Sequence, residues 1–213
     1  MKHMKLYLSS YGVGNEPEKL SRFLDGRKKA AVIMAAQDYK NPTERSQKLR
    51  LEIEALHAVG LTASELDLRN YFGDNLTLEA DITSYDFIWV RGGNVFTLRH
   101  AMALSGLDKM LSGLLKAGKL LYGGYSAGAC VLAPSLKGLQ LVDPLDRPGR
   151  NYPPIDTIWE GLGLLDYAFV PHYKSDHPES ADIDKYVVYL QQNNMPYEAL
   201  HDGEVIIIDS KAE

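Results

Sequence analysis

Short apolar runs alternating with longer stretches of helical period constrain this chain more than any other feature. An apolar run of a few residues suits a strand buried on both faces, and a helix between successive strands returns the chain to the same edge. The alternation therefore predicts a mostly parallel sheet with helices on both sides. The runs lie at residues 5–9, 30–35, 64–68, 86–90, 119–123, 139–142, 167–171 and 205–209. The clearest helix opens at the capping residue Asn41, with Pro42 in its first position and Glu44 placed to return a hydrogen bond to the cap. Its stripe is Leu49, Ile53, Leu56 and Val59, and Gly60 ends it. A second helix follows Gly92-Gly93-Asn94, a third carries Leu107, Met110, Leu111, Leu114 and Leu115 before Gly118, and a late one runs through Ile183, Tyr186, Val187 and Leu190.

The 213 residues fit within the size of one growing core, so a single domain spanning 1–213 is expected. There is no internal repeat, and the one long irregular stretch, residues 143–156, carries Pro144, Pro148, Pro153 and Pro154. A formal charge of -5, with the 23 Lys and Arg scattered along the chain, gives no positive field for a phosphate backbone and argues against nucleic acid as a partner. No apolar run approaches the roughly 20 residues needed to cross a bilayer. Met1-Lys2-His3-Met4 leads straight into a strand-like run, so no signal peptide is expected. The single cysteine, Cys130, cannot build an internal disulfide framework and is read as structural; together these features point to the cytoplasm.

Residues 119–132 pass from an apolar strand through Gly123-Gly124-Tyr125-Ser126-Ala127-Gly128 into a helix of small residues. A serine in such a strand-to-helix turn stands at the carboxyl edge of the sheet, and the following amide of Ala127 can stabilise an oxyanion formed there. The same letters also fit a plain glycine-rich turn, and the flanking strand and helix favour the nucleophile. A second turn, Arg91-Gly92-Gly93-Asn94, follows residues 86–90 and brings the amide of Gly93 to the same edge as a partner in the oxyanion hole. Neither turn matches a phosphate-binding or dinucleotide fingerprint, and no cofactor is implied.

Serine needs a base at neutral pH. Of six histidines, His3, His57 and His100 lie in the opening tail or in helices, whereas His172 ends the run 167–171 and so reaches the carboxyl edge. For the acid that orients the imidazole, Asp202 in His201-Asp202-Gly203 is preferred and Asp143, just before Pro144, is the rival. His177, Asp176 and His201 match no standard metal spacing, so no metal is expected.

With these residues assembled, the chain resembles the serine peptidase family of dipeptidase E (the aspartyl dipeptidases) and the cyanophycinases. Four ordered motifs carry the likeness: Leu6-Tyr-Leu-Ser-Ser10, Gly92-Gly-Asn-Val-Phe96, Gly124-Tyr-Ser-Ala-Gly-Ala129 and Pro171-His-Tyr173. The resemblance implies an α/β three-layer sandwich of the class I glutamine amidotransferase-like (flavodoxin-like) type, with serine where those enzymes have cysteine. It assigns Ser126 as nucleophile, His172 as base and Asp202 as acid, and a small peptide as substrate. Members that prefer N-terminal aspartate carry an arginine after the histidine; here that segment, residues 177–184, is acidic and has none. Peptidase chemistry is carried over and aspartyl specificity is not. The competing readings are an α/β-hydrolase-type esterase, whose acid would precede the histidine, and a non-catalytic binding protein on the same fold.

Overall fold

The computed structural model describes residues 4–210, so His3 lies outside the described residues. The strands are β1 (Met4–Ser9), β2 (Lys29–Ile33), β3 (Thr62–Glu65), β4 (Phe87–Val90), β5 (Leu121–Tyr125), β6 (Ala168–Val170), β7 (Tyr197–Ala199) and β8 (Val205–Ser210). The helices are α1 (Pro17–Leu24), α2 (Pro42–Ala58), α3 (Asn75–Ile82), α4 (Val95–Ser105), α5 (Leu107–Lys116), α6 (Ala127–Cys130) and α7 (Ser180–Gln192). Six strands form one sheet in the order β3-β2-β4-β5-β1-β8, and every pairing is parallel except that of β8 with β1.

Alternate residues of the central strands feed two separate cores, as a period of two requires. Tyr7, Ala30, Val32, Phe87, Trp89 and Tyr125 face α1 and α2, packing on Leu20, Phe23 and Leu56. Leu6, Leu8, Ala31, Ile33, Ile88 and Val90 face the other way, toward α3, α4, α5 and α7. The mostly parallel sheet between two helical layers expected from the sequence is what forms. No helix of the described residues is long and apolar enough to cross a membrane.

Local chemistry decides the helix ends. Asn41 accepts from the Glu44 amide at 2.9 Å, as its capping role requires, but the Glu44 carboxylate turns to Lys40 at 2.6 Å instead of returning to the cap. Gly60 sits at φ 89, the left-handed conformation that ends α2.

Several expected boundaries differ. Residues 139–142 are not a strand: Leu139–Leu141 is a 3-10 helix entered from Gly138 at φ 98, because a four-residue apolar run has no ladder to join where the chain has just turned sharply. The strand expected at 64–68 is shifted to Thr62–Glu65, and Leu68 opens a 3-10 helix capped by Asp67, whose side chain accepts from Arg69 N. Residues 167–171 contribute only Ala168–Val170, which pairs with β7 in a separate two-stranded sheet rather than with the main one. Helices α1 and α3 and strand β7 lay outside the sequence reading; Pro17 at the first position of α1 and the spacing of Leu20, Phe23 and Leu24 were its legible signal.

Candidate active site

The strand order places three chain exits side by side. Ser9, the last residue of β1, pairs with Tyr125 of β5 on one side and with Val205 of β8 on the other. Ser126 follows Tyr125, Ser10 follows Ser9, and Asp202 precedes Val205 by three residues. Because β8 is antiparallel, its beginning lies at the edge where the parallel strands end. That edge is where open α/β sheets bind ligands.

Ser126 is the bend between β5 and α6, at φ 49 and ψ -121. A non-glycine residue with positive φ is strained, and such strain in a tight turn is what holds a side chain out over the sheet edge. Two glycines permit the bend: a Cβ on Gly92 would lie 2.9 Å from Ser126 Cβ, and one on Gly128 would collide with the Val90 carbonyl. The carbonyl of Gly128 accepts from Tyr122 OH, which ties the turn to the core beneath it. Gly93, at φ 147, precedes Asn94, whose side chain caps α4 by accepting from Thr97 N at 2.9 Å. Among the described residues, the amides of Gly93 and Ala127 donate to no protein acceptor.

His172 lies just past β6 at φ 58, and its side chain is buried. Its Nδ1 is 2.6 Å from Asp202 Oδ1. An ionised carboxylate only accepts, so Nδ1 carries the proton and Nε2 keeps its lone pair, the tautomer a general base needs. Burial holds the imidazole below its ordinary pKa; the Asp202 hydrogen bond opposes that, and His177 adds to it. Ser126 and His172 line one cavity of about 260 Å³. No hydrogen bond joins the two among the described residues, as is common before a ligand draws such a pair together.

The rival acid lines the same cavity but bonds to a different group. Asp143 accepts from Val95 N at 2.8 Å through Oδ2, at the start of α4, and among the described residues makes no hydrogen bond to His172. Burial pushes its carboxyl up to about 7, against the pull of the Val95 amide. The folded protein thus holds a proton that the unfolded chain releases near pH 4, so the associated stability is complete below about pH 4 and is lost as pH rises toward 7. Asp143→Asn is expected to remove this loss. Its stability relative to wild type, from denaturant unfolding, should rise by about 2–4 kcal/mol between pH 4 and pH 7.5. A pH-independent difference would contradict that account.

The sequence reading missed the neighbours that shape the cavity. His177 stacks on His172 with ring centroids 3.7 Å apart and planes within 6°, and its Nδ1 accepts from Glu179 N. Tyr11 presents its ring to both, at 6.1 and 5.9 Å. Lys48 and Arg91 supply cations from other elements than the segment after His172, and Arg91 lies over the Tyr125 ring. Beneath them, buried Glu52 accepts from Tyr125 OH at 3.1 Å and Trp89 Nε1 at 3.3 Å, fixing the residue before Ser126. Of the histidines and acids weighed for a metal, His177 joins His172 and Asp202, with ligand atoms within 4.8 Å of one another, while Asp176 and His201 stand outside that group. Parallel stacked rings aim their in-plane lone pairs alongside one another rather than at a common point, unlike the convergent ligands of a metal site.

The profile of Peptidase family S51 matches residues 16–212 of this chain. An uncharacterized peptidase of Listeria monocytogenes serovar 1/2a is 33% identical over 122 residues, 57% of this chain and 56% of that one. Peptidase E of Streptomyces coelicolor is 30% identical over 135 residues, 61% of this chain and 51% of the relative. In these alignments the chain spans little more than half the length of either relative. The crystal structure of a candidate peptidase E protein from Listeria monocytogenes EGD-e aligns with a TM-score of 0.72 and 25% identity, over 98% of this chain and 100% of that one.

Proposed function

Because the chain belongs to peptidase family S51, we propose that it is a serine-type peptidase that hydrolyses short peptides through Ser126, His172 and Asp202. One observation carries this reading: a strained serine at the sheet edge shares a cavity with a buried histidine that is hydrogen-bonded to a carboxylate. Ser126 Oγ attacks the peptide carbonyl as His172 Nε2 takes its proton, and Asp202 stabilises the imidazolium through Nδ1. The tetrahedral oxyanion is held by the amides of Gly93 and Ala127, which among the described residues have no protein acceptor. His172 then returns the proton to the leaving amine, and water releases the acyl group by the reverse path.

The esterase reading requires an acid between the nucleophile and the histidine, from Asp143, Asp146, Asp156, Glu160 and Asp166; Asp143 is engaged at Val95, and the carboxylate on His172 Nδ1 is that of Asp202, which follows the histidine. Labelling tests the proposal against a non-catalytic binding protein. A fluorophosphonate probe is expected to modify Ser126 of the folded protein, with a rate that falls in acid about a midpoint below 6.5. That sign follows from the base, which must be neutral to act and whose burial lowers its pKa. A folded protein that fails to label would overturn the serine mechanism, and a rate that does not fall in acid would remove His172 as the base; a midpoint above 6.5 would show that the Asp202 hydrogen bond outweighs burial. Turnover of a dipeptide library beside short acyl esters separates peptidase from esterase.

A further inference from the structure

Resting on the serine peptidase reading, we propose that Ser10 is a positioning residue that acts through His172 and Asp202 to set the base for Ser126. Ser10 ends the Leu6-Tyr-Leu-Ser-Ser10 motif, to which the mechanism above assigns no task, and it is completely buried. Its hydroxyl links both partners, and it is the link that reaches the Asp202 carboxylate, whereas Ser175 joins only their backbones. Oγ accepts from the His172 backbone amide at 2.8 Å and donates to Asp202 Oδ1 at 2.9 Å. The Leu200 carbonyl is a second acceptor at 3.4 Å, and a hydroxyl has one proton, so the shorter contact to the carboxylate takes it.

Each contact restrains something that has no other fixed reason to hold. His172 sits in the left-handed region, which a residue with a Cβ enters only when its surroundings impose it. The Ser10 acceptor satisfies its buried amide in that conformation, and so sets the direction from which the imidazole leaves the backbone. Asp202 is on a turn, and its side chain keeps about a quarter of its surface. A carboxylate there is free to rotate into water unless it is held. Oδ1 takes two donors, His172 Nδ1 and Ser10 Oγ, which fix the plane of the carboxylate against the ring. The Asp202 amide donates to Ser175 Oγ at 2.8 Å and anchors the backbone, which leaves the side-chain orientation to His172 and Ser10 together. The register makes this possible: β1 lies between β5 and β8, so the residue after Ser9 stands between the exits that carry Ser126 and Asp202.

The test is fluorophosphonate labelling of the full chain, followed with Ser10→Ala, Asp202→Ala and the double variant. Ser10→Ala is expected to slow labelling about 10–100-fold, a loss of one or two well-made hydrogen bonds in the reacting state. In the Asp202→Ala background the same change should cost several-fold less, because the share that acts through the carboxylate is already lost and only the hold on the His172 amide remains. With a peptide substrate the loss should fall on kcat and leave KM within about twofold. The downfield proton resonance of His172 Nδ1–H should also move or broaden in Ser10→Ala. If Ser10→Ala does not fold, Ser10→Cys keeps the volume while weakening both hydrogen bonds and serves the same comparison. Wild type that labels, with Ser10→Ala labelling equally fast or with its cost undiminished in the Asp202→Ala background, overturns the role of Ser10. Wild type that does not label overturns the peptidase reading itself.

Discussion

Ser126→Ala is expected to abolish peptide turnover, with kcat/KM falling by about 10⁴–10⁶-fold, while the thermal midpoint stays within about 2 °C of wild type. The two halves of that expectation have separate physical grounds. In the proposed mechanism turnover requires an oxygen nucleophile at the end of β5, and an alanine there would leave only binding and the amides of Gly93 and Ala127 to assist water. Stability should hold because alanine keeps the Cβ, so it neither adds to nor relieves the strain of a residue at φ 49. The hydroxyl also makes no hydrogen bond to the protein among the described residues, so its removal orphans no partner. Measured against a dipeptide library, turnover by Ser126→Ala within a few-fold of wild type would remove serine from the mechanism. A collapse of the midpoint instead would assign the hydroxyl a structural task that its surroundings do not suggest.

The parts legible in the sequence were those where one residue's environment follows from its near neighbours. In β1, β2 and β4, both alternating sets are apolar, because both faces of the sheet are covered, and the runs announce themselves. The turn at Ser126 was legible for the same reason: Gly124 and Gly128 lie within two residues and each makes room that a Cβ would fill, whereas Gly92, which packs on Ser126 from another turn, gave no local sign. The pairing of His172 with Asp202 spans thirty residues, and no local pattern encodes it; the ordered motifs supplied it. Ser10 is separated from His172 by 162 residues and from Asp202 by 192, so its place between them appears only once β1 is known to lie between β5 and β8. Three-residue strands such as β6 and β7 carry too little pattern to declare a partner. The expectation that residues 167–171 belonged to the main sheet failed there, although His172 still reaches the cavity. Leu139–Leu141 misled for the opposite reason, since an apolar run says that residues are buried and not which backbone buries them.

Asp202→Asn is expected to lower kcat/KM by about 10⁴-fold, and the comparison with Asp143→Asn makes the result specific. The two acids have one chemistry and opposite surroundings. Asparagine at 202 has nearly the shape of aspartate, so the fold has little reason to yield, but the one position that faces both Ser10 Oγ and His172 Nδ1 holds either its oxygen or its nitrogen. With the oxygen there the imidazolium loses the carboxylate charge; with the amide nitrogen there His172 faces a donor and Ser10 loses its acceptor. An imidazole facing a donor presents the Nδ1 lone pair and moves its proton to Nε2, so the nitrogen meant to accept the Ser126 proton already carries one. At 143 the same substitution leaves an acceptor for Val95 N and touches neither nitrogen, so activity should remain within about threefold of wild type while the pH dependence of stability flattens. Steady-state assays of both variants decide the acid. An active Asp202→Asn beside an inactive Asp143→Asn would transfer the role to the acid that precedes the histidine, the order of the esterase reading. The 2.6 Å contact at His172 would then be a structural hydrogen bond only.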